Sequence, residues 1–266
     1  MPLRAPTFVA AQGVIGLRDY HVPDPGRDAA FMAAVRHEFP NVLNRAALPP
    51  EAPPNTPHVV LASTSSQLAL SALQADFQVR FYGDYLSDIN RGVEYIERKL
   101  IAVFEGFGTI DAPVASIGVI GTLNFSFAGV EERPVDHILR THLRSPVDAA
   151  EVQDAVARIA VGLRDTYFLN LTVSNYERRS LDRPIIPGTM VRVRPWEGRI
   201  DDAGLELAID INNNLEARSQ QRDPEVTLDG LRAVTGLLRD IGTESGPAFA
   251  DTGELSTERL TASSIA

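Results

Sequence analysis

Between residues 84 and 107 the apolar positions fall at Leu86, Ile89, Val93, Ile96, Leu100, Val103 and Phe107, in steps of three and four. That spacing lines one stripe of a helix, and Asn90, Arg91, Glu94, Glu97, Arg98 and Lys99 take most of the remaining surface. Asp84 stands where an N-cap is expected. On both sides the period changes. Phe77, Val79 and Phe81 alternate with Asp76, Gln78, Arg80 and Tyr82, and Leu123, Phe125 and Phe127 share one face of an apolar stretch from Val114 to Phe127. Alternation of this kind makes half-buried strands, so helix 84–107 is predicted to cover a sheet formed by the segments before and after it.

The rest of the chain reads in the same two periods. Thr7 to Leu17 predicts a first strand, and Asp24-Pro25 a capped helix running to about Phe39 that buries Ala29, Phe31, Met32 and Val35. Prolines at 49, 50, 53, 54 and 57 restrict the backbone and predict an extended, packed surface connection over 41–57. Proline segments also dock into aromatic grooves, but no repeated recognition unit is present here. Residues 58–83 supply two or three antiparallel strands. Arg133-Pro134 starts a short helix with Ile138, Leu139 and Leu143, and Val152, Ala155, Val156 and Ile159 predict another over 148–159. Tyr167, Leu169, Leu171 and Val173 make a strand face, as do Leu205, Leu207, Ile209 and Ile211. Thr227 caps a helix with Leu228, Leu231, Val234, Leu238 and Ile241 inside, and a short strand is expected near Ala248–Phe249.

Together these elements predict an α+β protein of two lobes of largely antiparallel sheet, each covered by helices on one face. The expected division is an N-terminal lobe over 1–129, a C-terminal lobe over 130–250 and a weakly ordered tail over 251–266. Regular βα alternation is missing, which argues against a dinucleotide-binding or barrel enzyme.

Composition narrows the chemistry. With 25 basic against 35 acidic residues the formal charge is −10, which disfavours broad phosphate-backbone binding. The chain has no cysteine, so disulfides, thiol catalysis and cysteine-ligated zinc are ruled out. No long apolar segment stands at the start or elsewhere, and the expected setting is cytoplasmic, away from the membrane.

Candidate chemical groups are scattered. Histidines occur at 21, 37, 58, 137 and 142. His137 and His142 are five apart, which turns them away from each other on a regular helix and makes a paired metal site there unfavourable. Ser63, Ser65 and Ser66 lie near His58 in sequence but lack a nucleophile-elbow motif and an acid partner. Among the carboxylates, Asp76, Glu206 and Asp210 stand out. Glu206 and Asp210 share a strand face about 13 Å apart, too far to hold one ion. Glycines 118 and 121 fit no phosphate loop, and no cofactor site is expected. The most basic neighbourhood runs from Arg178 to Arg199. In it Tyr176, Arg178, Arg179, Arg192, Arg194 and Trp196 form a candidate interaction surface, diluted by acids at 177, 182, 197, 201 and 202.

One run of residues carries a resemblance. Tyr85 near the start of the long helix and the strand Ile117-Gly118-Val119-Ile120-Gly121-Thr122-Leu123-Asn124 are similar to a sporadically distributed family of uncharacterised bacterial proteins. That family has an Ile-Gly-Leu-Arg-Tyr-Ile-Asn-like strand after a long helix, and its final strand and helix resemble 205–211 and 227–241 here. The resemblance implies the fold and no active site. The leading functional expectation is a noncatalytic protein-binding or assembly component, with a protein partner or a second copy of the chain. Two alternatives stand beside it. One is an acid–base or metal-assisted hydrolase whose site is assembled from distant residues; the other is a phosphate- or nucleic-acid-binding module using Arg178–Arg199.

Overall fold

A computed structural model of the chain describes residues 3–49, 51–127, 133–144, 152–163, 166–180, 198–214 and 226–256. Nine strands form one sheet in the order β2-β3-β4-β5-β1-β6-β9-β8-β7, with every neighbouring pair antiparallel. They are β1 (Thr7–Leu17), β2 (Asn41–Arg45), β3 (Val59–Ala62), β4 (Ser66–Leu70), β5 (Gln74–Arg80), β6 (Val114–Ser126), β7 (Val156–Leu163), β8 (Tyr167–Ser180) and β9 (Arg199–Asn212). The described helices are α1 (Pro25–Val35), α2 (Ile89–Gly108), α3 (Pro134–Ile138), α4 (Leu228–Asp240) and α5 (Gly246–Thr252). This is the α+β architecture that the two periods predict.

Strand register explains how the predicted lobes join. Directly opposed residues run Leu61, Leu68, Phe77, Gly13, Val119, Ile211, Leu169 and Val161 across eight strands. All but Val161 at the far end are buried. One residue along, the row reads Gln67, Gln78, Gln12, Ile120, Asp210 and Asn170, none of them buried. An antiparallel sheet with one packed and one solvated face has this signature. Because β6 and β9 pair from Gly118↔Asn212 to Ser126↔Gly204, the apolar face continues from one lobe into the other. The expected boundary at 129–130 lies outside the described residues.

The helices close the apolar face. From α2, Val93, Ile96, Leu100, Val103 and Phe107 are buried, as are Leu231, Val234 and Leu238 from α4 and Ile241 just after it. Each such side chain contributes roughly 1.5–3 kcal/mol on leaving water. Two strand glycines permit the close approach. A Cβ on Gly13 would stand 2.4 Å from the Phe77 ring of β5 and 3.0 Å from Leu100 of α2, and one on Gly121 would stand 2.7 Å from Leu238 of α4.

Four local expectations are corrected. The long helix starts at Ile89, capped by Asp88, whose carboxylate accepts from the Arg91 N–H; Asp84 lies in a preceding 3-10 turn over Gly83–Leu86. Lys99, expected on the polar face, is 1 % exposed. Residues 156–163 form β7 instead of continuing a helix. There the inward positions Ala157, Ile159, Val161 and Leu163 alternate, and a short apolar run fits either period until a neighbouring strand pairs with it. Ala248 and Phe249 lie in α5, which continues α4 through a wide turn at Ile241–Ser245 and carries Pro247 at its start.

Candidate functional site

Three side chains from separate segments converge under the proline-rich connection. His21 follows β1, Asp28 sits in the first turns of α1, and His58 precedes β3. Local chemistry fixes each backbone. The Asp24 carboxylate caps α1 by accepting from the N–H groups of Gly26 and Arg27, both at 2.9 Å, which points the next turn and Asp28 inward. The His21 N–H donates to Ala72 O at 2.8 Å and the His58 N–H to Leu70 O at 2.9 Å. Proline loop residues are tied to the same frame: Ala46 N–H donates to His58 O at 2.9 Å, and Ala72 N–H to Pro54 O at 3.1 Å.

All three residues are buried, at 5 % exposure for His21, 5 % for Asp28 and 1 % for His58. Asp28 Oδ1 lies 3.2 Å from His58 Nε2 and 3.9 Å from His21 Nε2, and one ligand atom from each residue falls within 4.8 Å of the others. Among the described residues this is the one cluster of histidine and carboxylate groups close enough to hold a metal ion. The carboxylate does not satisfy both rings: His21 Nε2 and His58 Nδ1 are buried without a hydrogen-bond partner. An orphaned buried nitrogen costs about 1–3 kcal/mol unless something else takes its lone pair or proton. Burial holds the His21 pKa below its ordinary 6.5, with Asp28 opposing and His58 and Arg27 assisting. His21 is therefore kept in the neutral form that ligates metals.

The spacing suits an ion. Nitrogen and oxygen ligands at about 2.0–2.1 Å on a tetrahedral centre stand roughly 3.3 Å apart. The Asp28–His58 separation is already close to that value, the Asp28–His21 separation is 3.9 Å, and all three ligand atoms lie within 4.8 Å of one another, so an ion would draw the His21 ring inward. Asp28 also lines a cavity of about 590 Å³ bounded by Tyr20, Val22, Pro25, Arg45, Pro49 and Pro53. The buried cluster thus has a wall on an open pocket.

The other predicted groups have different fates. His137 and His142 are brought together, but both Nε2 atoms point at one carbonyl, Ala250 O, at 3.0 and 3.2 Å. Ser63, Ser65 and Ser66 meet the phenol of Tyr95 and not His58. Asp210 accepts from the amides of Asn170 and Asn212 at 2.9 and 3.1 Å, within the polar sheet face. In the basic neighbourhood, the Tyr176 hydroxyl donates to Asp202 at 3.0 Å and also meets Ser126 Oγ at 3.1 Å. Burial raises its pKa, the Asp202 carboxylate adding to that effect. Arg179 pairs with Glu177 at 2.6 Å, and Arg178 stands opposite Asp202 in the β8–β9 register. This part of the surface is charge-compensated by its own hairpin. Arg192, Arg194 and Trp196 lie outside the described residues.

Nothing local in the sequence links His21, Asp28 and His58, and 30 residues separate Asp28 from His58. The signal that was present is a single acidic residue one turn into a capped helix whose neighbours Phe31 and Val35 face the core. No protein-family model matches this chain, and no curated protein matches it.

Proposed function

We propose that the protein is a metal-dependent hydrolytic protein whose site is assembled from His21, Asp28 and His58. The observation that carries this reading is the buried, partnerless Nε2 of His21 beside a buried carboxylate and a second imidazole. Two imidazoles and one carboxylate suit a divalent transition ion such as zinc, and three protein ligands leave a position for water or substrate. A bound ion of this kind lowers the pKa of its water toward about 7 and polarises a carbonyl or phosphoryl oxygen. The adjoining cavity, lined by Tyr20, prolines, Arg45 and Asp28, supports a small, mainly apolar substrate.

The test is metal analysis of purified full-length protein, then zinc binding to chelator-treated protein. One ion per chain is expected in the wild type, with loss of binding in Asp28→Asn and His58→Ala. Hydrolysis of small chromogenic esters and phosphoesters should follow metal content. Wild-type protein that takes up no divalent ion overturns the reading; uptake without hydrolysis reduces the role of the ion to clamping the proline loop.

A second reading, a protein-binding or assembly component, draws on the sheet edge. Val42 and Leu43 on edge strand β2 are 59 % and 60 % exposed, and an edge with free backbone groups can accept a further strand. Mass measurement in solution of the wild type and Leu43→Lys decides whether this edge joins two copies.

A further inference from the structure

Strand β3 has His58 at one end and Ser63 at the other, roughly 16 Å away at the rise of a strand. At that far end Ser63, Ser65 and Ser66 surround Tyr95 of α2. The phenol oxygen lies 3.2 Å from Ser63 Oγ, 3.1 Å from Ser65 Oγ and 3.3 Å from Ser66 Oγ, while Ser63 and Ser66 are joined at 2.6 Å. A neutral phenol has one proton to give, so it must accept from the hydroxyls it does not donate to; a phenolate can accept from Ser65 and from one member of the Ser63–Ser66 pair, whose other proton is used within the pair. Lys99, one helical turn after Tyr95, is buried beneath them. Its Nζ lies 3.5 Å from Ser63 Oγ, 3.1 Å from a Glu38 carboxylate oxygen and 5.0 Å from the centre of the Tyr95 ring, and it also donates to the Glu38 carbonyl. Burial opposes ionisation of Tyr95, but the three serines and the Lys99 charge outweigh it, and the pKa is lowered from 10.0.

The cluster opens into a cavity of about 580 Å³. Facing it are Arg98 and Lys99 from α2, Arg80 from the end of β5, His37 and Glu38 from the segment after α1, and Tyr82 and Tyr85 before α2. Glu38 holds Lys99 and reaches Arg98 at 3.8 Å. Three full cations against one carboxylate leave a positive pocket on a chain whose formal charge is −10. A concave, locally positive wall of this kind concentrates anions.

The geometry points to a second site, in which Arg80 and Arg98 take a small phosphate- or carboxylate-bearing ligand and Tyr95 moves a proton to and from it. The proton passes from an acidic O–H or C–H of the ligand to the Tyr95 oxygen and returns to the product, with no change of oxidation state. The serines hold the charge on the oxygen between the two transfers. This site stands independently of the metal cluster.

Tyrosinate absorbance tests it, titrated on the full chain with and without inorganic phosphate. Of six tyrosines, one should ionise before the others, and that step should disappear in Tyr95→Phe. Phosphate should move the step to higher pH, and by linkage phosphate affinity should fall by the same factor as Tyr95 ionises. Arg98→Gln should weaken phosphate about tenfold, the loss of one charge-assisted contact. Ser65→Ala keeps the phenol and removes one donor, so it should raise the step even if Tyr95→Phe folds poorly. Acetate in place of phosphate separates a carboxylate ligand from a phosphate one. Six tyrosines titrating together, or a step that neither anion moves, overturns the proposal.

Discussion

Two pairs of histidines face different oxygens, and the contrast separates a packing device from a site. At one, His137 and His142 both direct Nε2 at the carbonyl of Ala250, 3.0 and 3.2 Å away. A carbonyl has two lone pairs, so two N–H donors satisfy it, and the arrangement fastens α5 to α3 and the turn that follows it. At the other, His21 and His58 flank the carboxylate of Asp28, and a nitrogen of each ring has no partner. The first pair is complete by itself. The second has capacity left over, with one side on a cavity.

The largest expected difference between the pairs is the response to zinc. An ion that binds only the folded protein stabilises it by about 2.7 kcal/mol at a hundred times its dissociation constant. Thermal unfolding of chelated and zinc-loaded protein should show that gain in the wild type and in His142→Leu. It should vanish in Asp28→Asn. A gain that survives in Asp28→Asn but disappears in His142→Leu would reverse the assignment of the two pairs.

Truncation of the rings in chelated protein comes next. His137→Leu removes one of two donors on the Ala250 carbonyl and leaves the other, so it should cost about 0.5–1.5 kcal/mol, the net worth of one hydrogen bond. His21→Leu removes a ring whose Nε2 is already orphaned, so its cost should be near zero, or the change should stabilise by about 1 kcal/mol. Denaturant unfolding of the two variants measures both. Equal losses would mean that His21 is satisfied in solution, and the argument for a ligand would fall with it.

The fold was legible where side chains repeat with one period over a long stretch. Thr7–Leu17 emerged with the bounds of β1, and the inner faces of α2, α4, β5, β8 and β9 follow the spacing of their apolar residues. It failed where a few residues fit two periods, as at 156–163, and where position on a helix was mistaken for exposure. Lys99 lies at the edge of the apolar stripe of α2. It is buried because Glu38 and Phe39, sixty residues earlier, supply a carboxylate and a ring 4.2 Å from its Nζ. The two candidate sites were illegible for the same reason. His21, Asp28 and His58 meet only because β1, α1 and β3 are laid side by side, and Ser63–Ser66 meet Tyr95 only because α2 crosses that end of the sheet. Strand order is a property of the whole chain, and local pattern does not contain it.

The smallest expected effect is the dependence of stability on pH, and here the pairs should behave alike. Burial is the main cause of a lowered pKa at His21 and at His142; Asp28 opposes it at the first and the bond to Ala250 O at the second. In each case the unfolded chain takes up a proton more readily than the folded one. Stability from this source is therefore complete above the unfolded value of about 6.5 and is lost as pH falls through the lowered folded values. Chelated wild type should show that decline in denaturant unfolding between neutral pH and the onset of carboxylate titration. His21→Leu and His142→Leu should each remove part of it, and the double variant more than either. Zinc should then divide the pairs again. It competes with protons for the His21 cluster, so the zinc-derived stability should decline on acidification in the wild type and in His142→Leu. If the zinc increment is independent of pH across that window, the ion is held by groups other than these imidazoles.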